Sequence, residues 1–353
     1  MSMSQADEYK KFLMPSASTS PLRLTDVPFW HKHIPFAFAL IEMIRPRTVV
    51  ELGTHKGDSY SAFCQAVSLN GLDTRCYAID NWDDGDPHVG AHAPSVYEDV
   101  VRHNERYFSQ FSVLIKEDFI EALKHFQDQS IDLLHIDGWH SEEAVRTDYT
   151  TWFPKLSDRA VVLFHDTNVR KPGFGVWKFW EEIRLRYPSF EFPYGNGLGV
   201  LVTGKDGSPI LKAMCDLTDY TKTEVTRYYH VLGERVEFKG KVFLLEDKVK
   251  AYVQQISKNR LILEEQQRDL LWYKEQHESL QQAQTDRAWY KERYEALQQA
   301  HTDLAWYKSR NTELEATKTL YEKLHAEYER LCQSRGYQLL SRLGLIAHSD
   351  HDE

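Results

Sequence analysis

The chain has no run of about 18 apolar residues of the kind a membrane-spanning helix needs. Its longest apolar patch, Ile34 to Ile44, is broken by Pro35 and Glu42. No apolar core follows a basic start at the N-terminus, so no signal peptide is expected and a cytoplasmic location is. Cysteine is scarce: Cys64, Cys76, Cys215 and Cys332 make no C-x-x-C pair and no metal-ligand spacing, which argues against a disulfide framework and a zinc knuckle. Positive charge is in deficit as well. A formal net charge of −10 over 353 residues argues against nucleic acid as a partner and against an anionic membrane as the main one. The dinucleotide fingerprint G-x-G-x-x-G is also missing, which weakens a nicotinamide-cofactor reading.

What is present is organised around IDLLHIDGWH and VVLFHDT, between Ile131 and Thr167. Each is a short run of Ile, Leu and Val that stops at an acidic residue, Asp137 or Asp166. Such runs read as strands buried on both faces of a parallel sheet. Ligands collect beyond the carboxyl ends of such strands, which places Asp137, His140, His165 and Asp166 at a reactive rim. Upstream, TVVELGTHKGDSYSAFCQAV reads as a strand, a turn containing Gly53 and Gly57, and a helix start. That combination lets backbone approach a ligand closely. About thirty residues later RCYAID gives a second strand ending in Asp80, placed to accept both hydroxyls of a ribose. Asp118 falls at the end of a third, FSVLI. His31 and His33, by contrast, read as packing residues.

Strand and helix alternate from Thr48 to Thr167, which predicts an α/β, Rossmann-like, doubly wound and mostly parallel sheet. FEF and LGVLV, joined by a glycine-rich turn, supply an antiparallel edge. Residues 1–28, polar and rich in Ser and Pro, read as a flexible N-terminal arm or a loosely docked cover, and residues 29–245 as the sheet domain. NWDDGDPHVGAHAPSVYEDV, after Asp80, reads as a loop or lid.

From Lys241 to Arg335 there is neither Pro nor Gly, so one continuous helix of roughly 140 Å is expected. Trp-Tyr-Lys recurs at 272, 289 and 306, at intervals of 17. A seam through Tyr273, His277, Leu280, Ala283, Arg287 and Tyr290 makes five turns in 17 residues, about 3.4 per turn. Residues 246–335 are therefore expected to form a left-handed, locally overwound coiled coil that builds a homo-oligomer. Residues 336–353 are expected to form a tail whose GYQLLSRLGLI reads as a short amphipathic piece that either docks on a partner or a membrane surface or frays.

The motifs HIPFAFALIE, VVELGTHKGDSY, YAID, IDLLHIDGWHSEEAV, WFPKLSDRAVVLFHDTNV, FGVW and GLGVL resemble, together, class I S-adenosylmethionine-dependent methyltransferases. The similarity is to the macrocin-type branch of sugar O-methyltransferases encoded with bacterial surface-polysaccharide enzymes, and it runs from about Trp30 to Gly204. The resemblance implies that S-adenosylmethionine is held by Glu51, Gly53, Thr54, Gly57, Ser59, Asp80, Asn81 and Asp118. It further implies a divalent cation, Mg²⁺, at Asp137 and Asp166, with Asp137 and His140 catalytic and His140 the base. His165 stands where macrocin-type members have a carboxylate, and Thr167 where catechol-type relatives have Asn. The expected activity is methyl transfer to a hydroxyl of a glycan or glycolipid, at the inner face of the membrane beside a glycosyltransferase or other assembly partner. The alternatives are a non-catalytic cofactor-binding scaffold recruiting glycan-assembly partners through the coiled coil, and a natural-product sugar O-methyltransferase.

Overall fold

The computed structural model describes residues 9–82, 94–281 and 287–333. Short 3₁₀ turns at Tyr9–Phe12, Pro15–Ser18 and Pro28–His33 lead into α1 (Ile34–Ile44), β1 (Thr48–Leu52), α2 (Asp58–Leu69) and β2 (Arg75–Asp80). Then follow α3 (Pro94–Tyr107), β3 (Ser112–Lys116), α4 (Phe119–Ala122), β4 (Ile131–Ile136), α5 (Glu142–Trp152) and β5 (Leu156–His165). The sheet domain closes with α6 (Val176–Ile183), β6 (Ser189–Phe192), β7 (Leu198–Val202) and α7 (Pro209–Cys215). Two long helices follow, α8 (Asp219–Gln281) and α9 (Arg287–Cys332).

The seven strands form one sheet in the order β3-β2-β1-β4-β5-β7-β6. β1 to β5 pair in parallel, and β7 runs antiparallel to both β5 and β6, the Rossmann-like arrangement with an antiparallel edge that the alternation predicts. Successive side chains of a strand face opposite sides, and the core divides accordingly. Val49, Leu133, Val161 and Leu163 pack with α1 and α2, while Val50, Leu134, Val162 and Phe164 pack with α5 and α6. The same period carries on to the strand ends. It puts Glu51, His135 and His165 on one face, the α1 side.

Three expectations are revised. The N-terminal segment is not a loose arm from Tyr9 onward: Phe12 is fully buried, and Tyr228 and Tyr229 of α8 donate hydroxyl bonds to the carbonyls of Met14 and Phe12. A few well-spaced apolar groups suffice to dock a polar stretch. The long helix begins earlier than expected, at Asp219, and runs through Gly233 and Gly240. A Cβ on Gly233 would lie 2.3 Å from the Lys32 carbonyl oxygen, and one on Gly240 would lie 2.8 Å from His31 Nδ1. One heptad apart, these glycines let α8 press against the 28–33 turn, where Lys32 also bridges Glu234 at 2.5 Å and Glu237 at 3.2 Å.

Nor is the region from Lys241 to Arg335 one continuous helix. Within the second compact unit, Lys241–Ser334, the Tyr321 hydroxyl donates to Glu246 at 3.1 Å, His277 and Tyr290 lie 5.4 Å apart ring to ring, and Arg293 covers Tyr273. Contacts that widen symmetrically in sequence mean that the two helices run antiparallel, as a hairpin. A helix with apolar groups along one side buries more of them by folding back than by extending into water. Ala283 of the expected seam, the tail 336–353 and most of the expected lid (83–93) lie outside the described residues.

Gly-to-Ala inside a helix normally stabilises by about 1 kcal/mol. At Gly233 the sign is expected to invert, because the new methyl meets backbone that cannot swing aside. Thermal unfolding of Gly233→Ala should show a lower Tm, by about 2–4 °C per kcal/mol lost; a raised Tm contradicts the close helix contact.

Candidate active site

Strand order reverses between β1 and β4, and a crevice opens beyond their carboxyl ends, as at the switch point of other open α/β sheets. Its wall after β1 runs from Gly53 to Ser59. Gly53 and Gly57 both take left-handed φ, 87° and 76°. A Cβ on Gly53 would sit 2.2 Å from the Asp137 carbonyl oxygen, so only glycine lets the loops after β1 and β4 meet. Gly57 is the N-cap residue of α2, and Asp58 and Ser59 of its first turn, where backbone N–H groups have no intrahelical partner, line the crevice.

Asp80, at the end of β2, accepts from the backbone N–H of His55 through Oδ2 and of Trp82 through Oδ1, both at 2.8 Å. Each carboxylate oxygen keeps a second lone pair. The group is thus aimed by the fold and still able to accept two hydroxyls. Thr54, Asn81 and Asp118 line the same wall.

Beneath the floor lies a buried chain. Trp30 Nε1 donates to His135 Nε2 at 3.2 Å, which leaves the ring proton on Nδ1, and this donates to Glu51 Oε2 at 2.8 Å. Burial pushes the Glu51 carboxyl above its usual range, and the His135 bond opposes the shift. Glu51 is fully buried and does not line the crevice. The resemblance implies a place for it among the cofactor-contacting groups; in the structure the strand period points it at His135, its cross-strand partner in register.

At the far end, four groups converge. His165 Nδ1 lies 3.0 Å from Asp137 Oδ1 and 3.5 Å from Asp166 Oδ1, and His140 Nε2 lies 2.8 Å from Asp166 Oδ2. Burial alone would strip His165 of its proton, but the charges of Asp137 and Asp166 reverse this and lift the imidazole to about 9. Burial would likewise raise Asp137, yet the His165 charge holds it at about 2. His33, stacked edge-on to His165, is pushed down to about 3, first by burial and then by that neighbouring charge. The result is an ion pair, His165 with Asp137, beside a neutral His33.

Neither acidic residue serves as a helix cap. Ser141 caps α5 by accepting from Ala144 N–H at 3.1 Å, and α6 starts after Gly175. Asp166 also holds a left-handed φ of 61°, a conformation of the kind kept at functional sites. The ligand atoms of Asp137, His140 and Asp166 lie within 4.8 Å of one another. Two carboxylates and an imidazole at that separation fit a hard divalent cation.

Residues 50–167 match the family model of a methyltransferase domain. That segment spans β1 to β5 and holds the crevice wall, Asp80, Asp137, His140, His165 and Asp166. The uncharacterized protein y4gI of Sinorhizobium fredii is 46% identical over 207 residues, 58% of this chain. The match spans 23% of that protein, so this chain covers about a quarter of its relative. Among solved structures, the O-methyltransferase TomG of Streptomyces achromogenes, involved in tomaymycin synthesis and in complex with SAM, is 17% identical. The alignment covers 57% of this chain and 100% of TomG, at a TM-score of 0.37. The SAH-bound methyltransferase PaMTH1 of Podospora anserina is 11% identical over 57% of this chain and 97% of its own, at a TM-score of 0.39.

The structure brings Gly53, Thr54, Gly57, Ser59, Asp80, Asn81, Asp118, Asp137, His140, His165 and Asp166 to one crevice. Sequence reasoning missed Trp30, His135 and the part played by His31 and His33. His31 Nε2 reaches Asp58 Oδ1 at 3.3 Å, and His33 Nε2 the Gly195 carbonyl at 2.8 Å. A signal existed for His135, which lies two residues after Leu133 on an inward face.

The raised His165 and lowered Asp137 values set a pH dependence. His165 titrates near 9 when folded and near about 6.5 when unfolded, so its stabilisation is complete below the lower value and lost as pH rises through the upper. Urea midpoints of the native chain should fall between those values more steeply than those of His165→Gln. Parallel curves for the two proteins contradict the ion pair.

Proposed function

We propose that the chain is an S-adenosylmethionine-dependent O-methyltransferase. The observation that carries the reading is that one crevice, inside the segment matching a methyltransferase domain, has a ribose-type carboxylate at one end and an acid-base cluster at the other. S-adenosylmethionine, when bound, supplies an electrophilic methyl on a sulfonium. Asp80 would accept the ribose hydroxyls, and the α2 N-terminus and Gly53–Gly57 backbone would border the amino-acid portion.

The acceptor oxygen must lie in line with the sulfur–methyl bond and lose its proton as the new carbon–oxygen bond forms. The His140–Asp166 pair shares one hydrogen-bonded position and can take that proton. The protonated His165 keeps Asp137 ionised, so Asp137 can orient the acceptor hydroxyl by accepting from it. Asp137, Asp166 and His140 would hold a divalent cation, which would lower the proton affinity of the hydroxyl there. With such an ion bound, His140 is a ligand rather than the base.

For the acceptor we propose a carbohydrate hydroxyl of a bacterial glycan or glycolipid. Phe29 and Trp139 line the crevice, half-exposed at 50% and 51%, and such aromatic faces suit the C–H side of a sugar ring. For the hairpin we propose self-association. Trp272, Trp289 and Trp306 stay 50%, 45% and 60% exposed on it, more apolar surface than a solitary hairpin needs. No helix among the described residues is long and apolar enough to cross a membrane.

Calorimetric titration with S-adenosylhomocysteine tests the cofactor reading. The native chain should bind, and Asp80→Asn should bind about ten- to a hundredfold more weakly, the worth of a charge-assisted hydrogen bond. His140→Ala should keep its affinity while losing about 10²–10⁴ in turnover on a methyl-accepting glycan. Absence of binding by the native chain removes the proposal.

A further inference from the structure

Behind the glycine loop, on its side away from the crevice, the surface carries a second recess of about 650 Å³. One wall is the segment at Leu22 and Arg23; the other is α3, with Asp99, Arg102, His103, Arg106 and Tyr107. We infer that this groove is a binding site for a phosphoryl group attached to a ring, the chemistry of a sugar phosphate or a nucleotide. It goes beyond methyl transfer and does not depend on it.

The walls are built rather than incidental. Leu22 N–H donates to Gln65 Oε1 at 2.8 Å, and Gln65 Nε2 returns a bond to the Ser20 carbonyl at 2.9 Å, which ties the first wall to α2. Arg23, only 9% exposed, donates through Nε to the Lys56 carbonyl. On the second wall, His103 Nε2 meets Ser61 Oγ at 3.0 Å. Preorganised walls of this sort spare a ligand the entropy of ordering them.

Charge in the groove opposes the charge of the chain. Asp99 is shared by two guanidiniums, Arg23 at 2.6 Å and Arg102 at 3.2 Å, so one carboxylate answers two cations. Arg106 adds a third, one helical turn from Arg102 and laid over Tyr107 at 5.1 Å. Glu105 borders the groove and leaves an excess of positive charge. The field is felt locally: burial first, then Arg23 and Arg106 among its neighbours, push His103 down to about 4. A neutral His103 adds no positive charge of its own to the groove near neutral pH.

Guanidiniums on one side of α3 match phosphate oxygens in fork geometry. Leu22 on one wall and Tyr107 on the other, 48% and 40% exposed, add apolar surface beside them. A free inorganic anion would use the first feature alone. A ring bearing phosphate uses both.

The test is calorimetry on the full chain with sodium pyrophosphate, with uridine diphosphate, and with phosphatidylglycerol vesicles. The native protein should bind both small phosphates, uridine diphosphate more tightly, and Arg102→Gln/Arg106→Gln should lose about tenfold or more of each affinity. S-adenosylhomocysteine titrated into the same double variant reports whether the fold and the crevice survive, and so separates failure here from failure of the methyltransferase reading. Three results overturn the inference: no binding of either phosphate by the native chain, equal binding by the double variant, or binding to vesicles alone.

Discussion

The structure depends on how closely the ends of β1 and β4 approach each other. Asp137 N–H donates to the Leu52 carbonyl at 2.9 Å, and the space above Gly53 is so small that a Cβ would meet the Asp137 carbonyl at 2.2 Å. This contact joins the loop that borders Asp80 to the loop that carries the acid-base cluster. Were the loops farther apart, a ribose-type carboxylate and a proton acceptor would belong to separate depressions. Sheet topology supplies the opportunity at the switch point, and glycine makes the contact sterically allowed.

Electrostatics completes what the backbone begins. Asp137 and Asp166 end neighbouring strands on the crevice floor, where two unpaired carboxylates would repel one another and resist ionisation. His165 sits between them and His140 faces Asp166, so each acid has a partner. His33 remains neutral behind His165 and takes no second positive charge into the interior. A site arranged in this way keeps one ionised acceptor and one exchangeable proton position near neutral pH. Those are the requirements of moving a methyl group onto a hydroxyl.

Much of this was readable in the amino-acid sequence because it rests on local pattern. Buried parallel strands announce themselves as uninterrupted apolar runs, and their acidic ends, Asp80, Asp137 and Asp166, could be placed on one rim without coordinates. Ser157, Asp158 and Arg159 look like loop yet belong to β5, since Asp132 of β4 takes a bond from Ser157 and a two-pronged one from Arg47. The Trp30–His135 bond joins residues 105 apart, beyond the reach of any spacing rule. The helical hairpin was hidden for another reason: absence of Gly and Pro speaks for helix, but it says nothing about where two helices prefer each other to water. Gly233 and Gly240 were visible as residues, while their purpose emerges only against the 28–33 turn that they admit.

The most direct measurement of the central claim is a crystal structure of the chain soaked with S-adenosylhomocysteine. The account predicts ribose hydroxyls within hydrogen-bond distance of the Asp80 carboxylate, the glycine loop against the amino-acid portion, and the sulfur directed toward Asp137 and the His140–Asp166 pair. A ligand bound elsewhere, or one in the crevice with its sulfur turned away from that cluster, contradicts it.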